Sequence, residues 1–253
     1  PAQRAARGPP SPARVGSEES FRQSSAAQHL EPYRGGMTEV RCWAIGIDEV
    51  RDMFSADPPL RERLLTISEA SYGRPAITPQ PGLLGKLGPL LRRPPDAPVI
   101  SPDTPTPADA EHLVAGRFVP EQRLRAAWVL LRRWLDETAW ASEAWELTDR
   151  DLDNLDFELA RAGVPARHGV RHLWSRDARL TLRTRPGMEV GYQRYDSAVA
   201  LGHDWDSALP QLDGDAAVTA AGVATFLGQL PNFAETATGA GRPTPDVVTL
   251  RTR

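Results

Sequence analysis

The stretch Glu121–Trp140, EQRLRAAWVLLRRWLDETAW, decides how the chain folds. Leu124, Ala127, Trp128, Leu131, Trp134 and Leu135 recur at helical spacing, and at about 100° per residue they share one broad face. Arg125, Arg132 and Asp136 fall opposite. Val129 and Trp140 interrupt that polar side, and Leu130 widens the apolar one. A helix with so little purely polar surface belongs at the centre of a fold. The spacing therefore predicts a central helix over 121–140 with the other elements packed around it.

Upstream, Val40–Ile47 (VRCWAIGI) has the β-branched and aromatic content of a strand. Asp48 then opens a short helix carrying Val50, Met53 and Phe54. Asp57-Pro58-Pro59 starts a second, with a capping carboxylate, prolines in the first turn and a stripe of Leu60, Leu64 and Ile67. Thr106-Pro107 begins another short helix, ended by Gly116. Downstream, Thr148 caps a helix over Asp149–Ala162, with Leu152, Leu155 and Leu159 inward and Gly163 as the stop. Pro165–Trp174 reads as one more helix, and Ala178–Thr184 as a half-buried strand through Leu180 and Leu182. Alanine-rich helices are expected over Gln193–Leu209 and Asp215–Gln229, a short one over Asn232–Thr238, and a closing strand over Val247–Leu250. The expected fold is α+β and mainly helical, with a small sheet from strands near 40–47, 178–184 and 247–250.

Two segments stand apart from this pattern. Residues 1–36 are rich in Pro, Arg, Ser, Ala and Gly, and such a composition cannot offset its ordering entropy by burial. They are expected to be a disordered extension, and Met37, after Gly35-Gly36, is the expected start of the native chain. Residues 37–253 then form one domain. Within it, residues 73–107 are rich in proline and glycine yet hold Leu83, Leu84, Leu87, Leu90 and Leu91, followed by Arg92 and Arg93. Five leucines are more than a free linker needs. Two readings stand: a strap lying in a groove of the helical domain, or a docking segment for another protein with the arginines at its rim.

Composition narrows the function classes. At 253 residues, 40% hydrophobic and 25% charged, the chain is long enough to bury a core without disulfides or a structural metal. A net charge of −3 gives no global attraction to nucleic acid or an anionic membrane, and no segment approaches the ~20 apolar residues of a span. Cys42 is the single cysteine, so neither an intrachain disulfide nor a multi-cysteine zinc site can form. With no secretory signal pattern at its start, the protein is expected in the cytoplasm. Of the 30 basic residues only Lys86 is lysine, which reflects GC-rich coding better than chemistry.

No motif carries a reaction. Gly82–Gly88 has glycines too close for a phosphate loop, and Leu87 stands where a hydroxyl must be. Asp149, Asp151 and Asp153 alternate like a calcium loop, but Asn154 and Ala160 occupy its obligatory glycine and glutamate places, leaving an acidic first turn of a helix. His168 and His172 would share a helical face, but they supply two ligands where a tight zinc site needs more. Cys42 reads as a small buried hydrophobe. Among the seven tryptophans, Trp128, Trp134 and Trp174 lie on stripes that predict burial, whereas Trp140, Trp145 and Trp205 are less constrained; aromatics near a surface favour interfaces, with the core as the default place.

The segments Val40–Ser55 (VRCWAIGIDEVRDMFS), Pro81–Arg93 (PGLLGKLGPLLRR) and Asp151–Val164 (DLDNLDFELARAGV) resemble a conserved hypothetical family of high-GC actinobacteria, from about Met37 to the C-terminus. That resemblance implies no activity, cofactor or site residue. The expected function is a non-enzymatic cytosolic module, without cofactor or metal, that binds another protein through residues 83–93, with Trp140 and Trp145 as further contacts. The alternative is a small-molecule enzyme or ligand-binding domain whose His, Asp and Arg residues come from distant parts of the chain. Nothing in the sequence indicates an oligomeric state.

Overall fold

Val40, Trp43 and Ile45 favour an extended chain, and Met37–Ile45 forms β1 of the computed structural model, which describes residues 36–73 and 101–253. Every residue from Cys42 to Ile45 is fully buried. A strand apolar on both faces needs cover on both. Cover comes from two layers of helix.

One layer follows β1 directly. α1 (Ile47–Asp52) and a single 3₁₀ turn lead into α2 (Pro58–Glu69), whose first turn is capped by Asp57 accepting the Leu60 N–H at 3.0 Å. The chain resumes in α3 (Pro107–Val114), and Arg123 pins this return by donating to the carbonyls of Pro102 and Thr104 and to Asp109. α4 (Leu124–Thr138) carries the quoted stripe, buried from Leu124 through Ala127, Trp128, Leu131 and Trp134 to Leu135. Both indoles find acceptors: Trp134 donates to Ser68 Oγ at 2.8 Å and Trp128 to the Arg183 carbonyl at 2.9 Å. Glu121–Arg123 is a 3₁₀ turn rather than part of the helix, and Ala139 turns extended, so Trp140 lies beyond its end.

The second layer comes later in the chain. β2 (Ser142–Thr148) runs into α5 (Asp149–Arg161) through a capping box in which Thr148 and Asp151 exchange hydrogen bonds. β3 (Arg176–Asp177) and β4 (Met188–Gln193) follow, then α6 (Tyr195–Ala208), α7 (Gly214–Gly228), α8 (Leu230–Gly239) and β5 (Asp246–Thr252). The sheet is antiparallel throughout in the order β2-β1-β5-β4-β3. Trp43, Ile45, Val248 and Leu250 face α1 to α4, while Val40, Cys42, Ala44 and Val247 face the apolar sides of α5, α6 and α7.

The fold is thus α+β, with the sheet sandwiched between helical layers. The helices do not surround α4 with the sheet to one side, as the sequence suggests, because β1 and β5 need apolar cover on both faces. The strand expected over Ala178–Thr184 is also absent. Leu182 is buried, but Arg179 adopts a left-handed φ of 51° and its N–H goes to Asp177. The carbonyls of Ala178 and Arg183 bond to side chains of Arg51 and Trp128, not to a ladder. The strand lies at Met188–Gln193 instead. Pro165–Trp174 forms two 3₁₀ turns separated at Gly169, not one helix. The expected extension over 1–36, but for Gly36, and the leucine segment with Leu83, Leu84, Leu87, Leu90, Leu91, Arg92 and Arg93 lie outside the described residues.

Candidate functional site

β2 is where a sequence-predicted site residue meets open surface. The strand pairs with β1 from Met37↔Thr148 to Trp43↔Ser142, and it stands at one end of the sheet order. Its other edge has no strand partner among the described residues. The pleat sends Glu143, Trp145 and Leu147 toward α5 and α7, and Ser142, Ala144 and Glu146 to the opposite face. Only Leu147 is buried, and Ser142, Glu143, Ala144 and Glu146 are exposed.

Trp145 anchors this edge. Its ring meets Phe226 of α7 edge-on, with centroids 6.3 Å apart at 79°. A Cβ at Gly222 would come within 2.9 Å of its Nε1, so the absence of a side chain there lets the indole lie against α7. Trp140 has a different role. It sits between α4 and β2, with its backbone N–H on the Ala44 carbonyl at 2.9 Å and the Arg242 guanidinium 4.4 Å from its ring centroid. It packs half-buried against the core instead of joining Trp145 at the free edge.

Beside the far end of β2 the strand, α5 and α7 enclose a cleft of about 260 Å³. Asp151 and Asp215 line its polar wall and Leu147, Leu155 and Val218 its apolar one, while Glu146 borders it from a strand position whose side chain turns to the opposite face. Val218 is 73% exposed, an unusual place for a valine in an otherwise alanine-rich helix. Asp151 is committed locally, since the Thr148 N–H and hydroxyl hold its carboxyl below the usual carboxylate range. Glu143, Glu146 and Asp215 have no cationic side chain within 4 Å among the described residues.

The other sequence candidates resolve into structural roles. Asp149 pairs with Arg251 and Arg253, Asp151 caps α5 and Asp153 pairs with Arg171, so the three aspartates point to separate partners and form no calcium loop. His168 Nδ1 lies 2.5 Å from Asp204, while His172 Nδ1 lies 3.3 Å from Ser175 Oγ. The break at Gly169 sends the two rings to different neighbours. The Cys42 thiol is fully buried against Thr249 Oγ1 at 3.3 Å, and burial pushes its pKa up to about 12, so it is held as a neutral thiol. Among the described residues no group of three or more His, Cys, Asp or Glu is placed to hold a metal ion, and no helix is long and apolar enough to cross a membrane.

Sequence reading missed the β2 edge. Trp145 and Leu147 alternate with Glu146, but Glu143 breaks the period on the buried side, and Asp215 and Val218 come from a distant helix. Searches against protein families, curated proteins and solved structures found no match to this chain.

Proposed function

We propose that the protein is a non-enzymatic interaction module that takes up an extended, basic segment of another protein along β2. The observation that carries this reading is a seven-residue strand that, among the described residues, is paired on one side only and stands beside a cleft whose Asp215 carboxylate lacks a cationic partner. An added strand draws its affinity from main-chain hydrogen bonds and its selectivity from pockets for alternate side chains. The cleft would receive one lysine or arginine, with Leu147 and Val218 against its methylene stem. Glu143 and Glu146 also disfavour pairing of β2 with a second copy, which would bring like charges together.

The test is titration with a heptapeptide alternating arginine and valine, against its glutamate–valine counterpart, followed by NMR of the 142–148 amides. The arginine peptide should perturb those amides, and Asp215→Asn should weaken it by about tenfold, as loss of a charge-assisted contact implies. A peptide methylated on alternate backbone nitrogens should fail to bind. Equal binding of both charge types, or undiminished binding of the methylated peptide, removes the reading.

A further inference from the structure

A second cleft, on the outer side of α5, rests on observations independent of β2. It measures about 370 Å³ and lies between α5 and the two turns that follow it. Leu159, Val164 and Pro165 supply an apolar floor, and Asp156, Arg171 and His172 stand at its polar side. Such a combination, an apolar hollow with a few convergent polar groups, is the usual form of a small-molecule site.

The local chemistry decides which ligand fits. Asp156 accepts the Val170 N–H through Oδ1 at 2.6 Å, and Gly169 allows this approach because a Cβ there would lie 2.7 Å from the same oxygen. Asp156 Oδ2 lies 3.4 Å from Arg171 Nε, a charge contact that leaves it room for a further donor. Burial pushes the Asp156 carboxyl above its usual value, and the Val170 N–H, Arg171 and, more weakly, His172 only partly offset this, with Asp153 acting in the other direction. Arg171 is meanwhile shared with Asp153. Its single positive charge thus faces two carboxylates, and the unmet demand in the cleft is for a cation.

We propose that this cleft binds a small amine carried on an apolar body, its ammonium group on Asp156 and its apolar part over Leu159, Val164 and Pro165. A carboxylate ligand is disfavoured, because Arg171 is already neutralised and Asp156 would repel it. A purely structural part for Asp156, as a staple holding the turns to α5, accounts for Oδ1 and leaves the hollow itself unexplained.

The experiment titrates 2-phenylethylamine into the protein, with 3-phenylpropionate as the shape-matched anion, and follows backbone amide shifts by NMR. The amine should shift residues 156–172 selectively, and the anion should not. Asp156→Asn keeps an oxygen for the Val170 N–H but removes the charge, and should weaken amine binding by about tenfold or more. Ala160→Phe, at the exposed rim of the cleft, should block it without touching Asp156. No amine response at millimolar concentration overturns the proposal, as does equal response to the anion or an unchanged affinity in folded Asp156→Asn. Perturbation of 142–148 in place of 156–172 would do the same, while leaving the β2 reading standing.

Discussion

The buried carboxylate of Asp246 accepts the backbone N–H of Ile47 at 3.0 Å across 199 residues of sequence. Its other oxygen accepts the N–H of Tyr195 at 3.0 Å, and Arg194 donates at 3.1 Å to the oxygen that holds Ile47. Ile47 begins α1 in one layer and Tyr195 begins α6 in the other. A single side chain on β5 therefore completes the first turn of a helix on each face of the sheet.

Asp246→Ala should destabilise the fold by about 2–4 kcal/mol, the loss of two helix-start acceptors plus the partner of Arg194. Asp246→Asn retains one acceptor oxygen and should lose roughly half as much. Urea melts measure both, and a cost for alanine under about 1 kcal/mol would show that water replaces the carboxylate freely.

Within α4, Leu131 is fully buried while Arg132 reaches Glu39 at 2.8 Å from the half-exposed side. Leu131→Ala should cost roughly 2–5 kcal/mol through lost transfer energy and the cavity left behind. Arg132→Ala should cost under about 1 kcal/mol, the scale of a partly exposed ion pair. Equal losses in denaturant melts would mean that the helix is rotated relative to this packing.

Two glycines separate backbone crowding from helix propensity. A Cβ on Gly191 in β4 would sit 2.0 Å from the Trp174 carbonyl oxygen, so Gly191→Ala must displace main chain and should cost about 1–3 kcal/mol or more. Gly228, at the end of α7, has nothing within 4 Å of its added Cβ. There Gly228→Ala should be neutral or stabilising by up to about 1 kcal/mol. Thermal melts of the pair should move in opposite directions, or at least differ clearly in size.

Asp109 gives the stability a defined acid dependence. Burial alone would raise its carboxyl, but hydrogen bonds from Arg123 and Thr106 outweigh this and hold it below the usual value. A depressed folded value means that its contribution is complete above the unfolded value of about 3.9 and disappears as pH falls through the folded one. The stability gap between the wild type and Asp109→Asn should therefore hold steady above about pH 5 and shrink between about pH 5 and pH 2. A gap that stays constant over that interval in urea melts would assign the effect to packing, not charge.

The helices were legible because their signals are local. Thr148 and Asp151 form the capping box three residues apart, and Gly163 ends its helix with a φ of 89°. The strands depend on remote partners. In β2 only Leu147 is buried, so the alternation that would betray it never becomes strong. In β4 Met188, Val190 and Tyr192 do alternate, but Gly187 and Gly191 read as turn signals when the carbonyl pressed against Gly191 is unseen. Trp145 was visible as an aromatic without a stripe, whereas its cleft needs Asp215 and Val218 from α7. The α5 hollow was similarly hidden, since Pro165–Trp174 reads as one helix until Gly169 is seen folding its amide neighbour onto Asp156.

The position of β5 has a consequence for biosynthesis. It lies between β1 and β4, so the sheet cannot close before residues 246–252 leave the ribosome. Translation at ~5–20 residues per second leaves β1 waiting for roughly 10–40 s, with Trp43 and Ile45 on one side and Cys42 and Ala44 on the other. A nascent strand apolar on both sides, with its inner edge unpaired, is a natural client for a chaperone and a natural seed for aggregation. The two helical layers must then assemble nearly together, as the last strand slots into place.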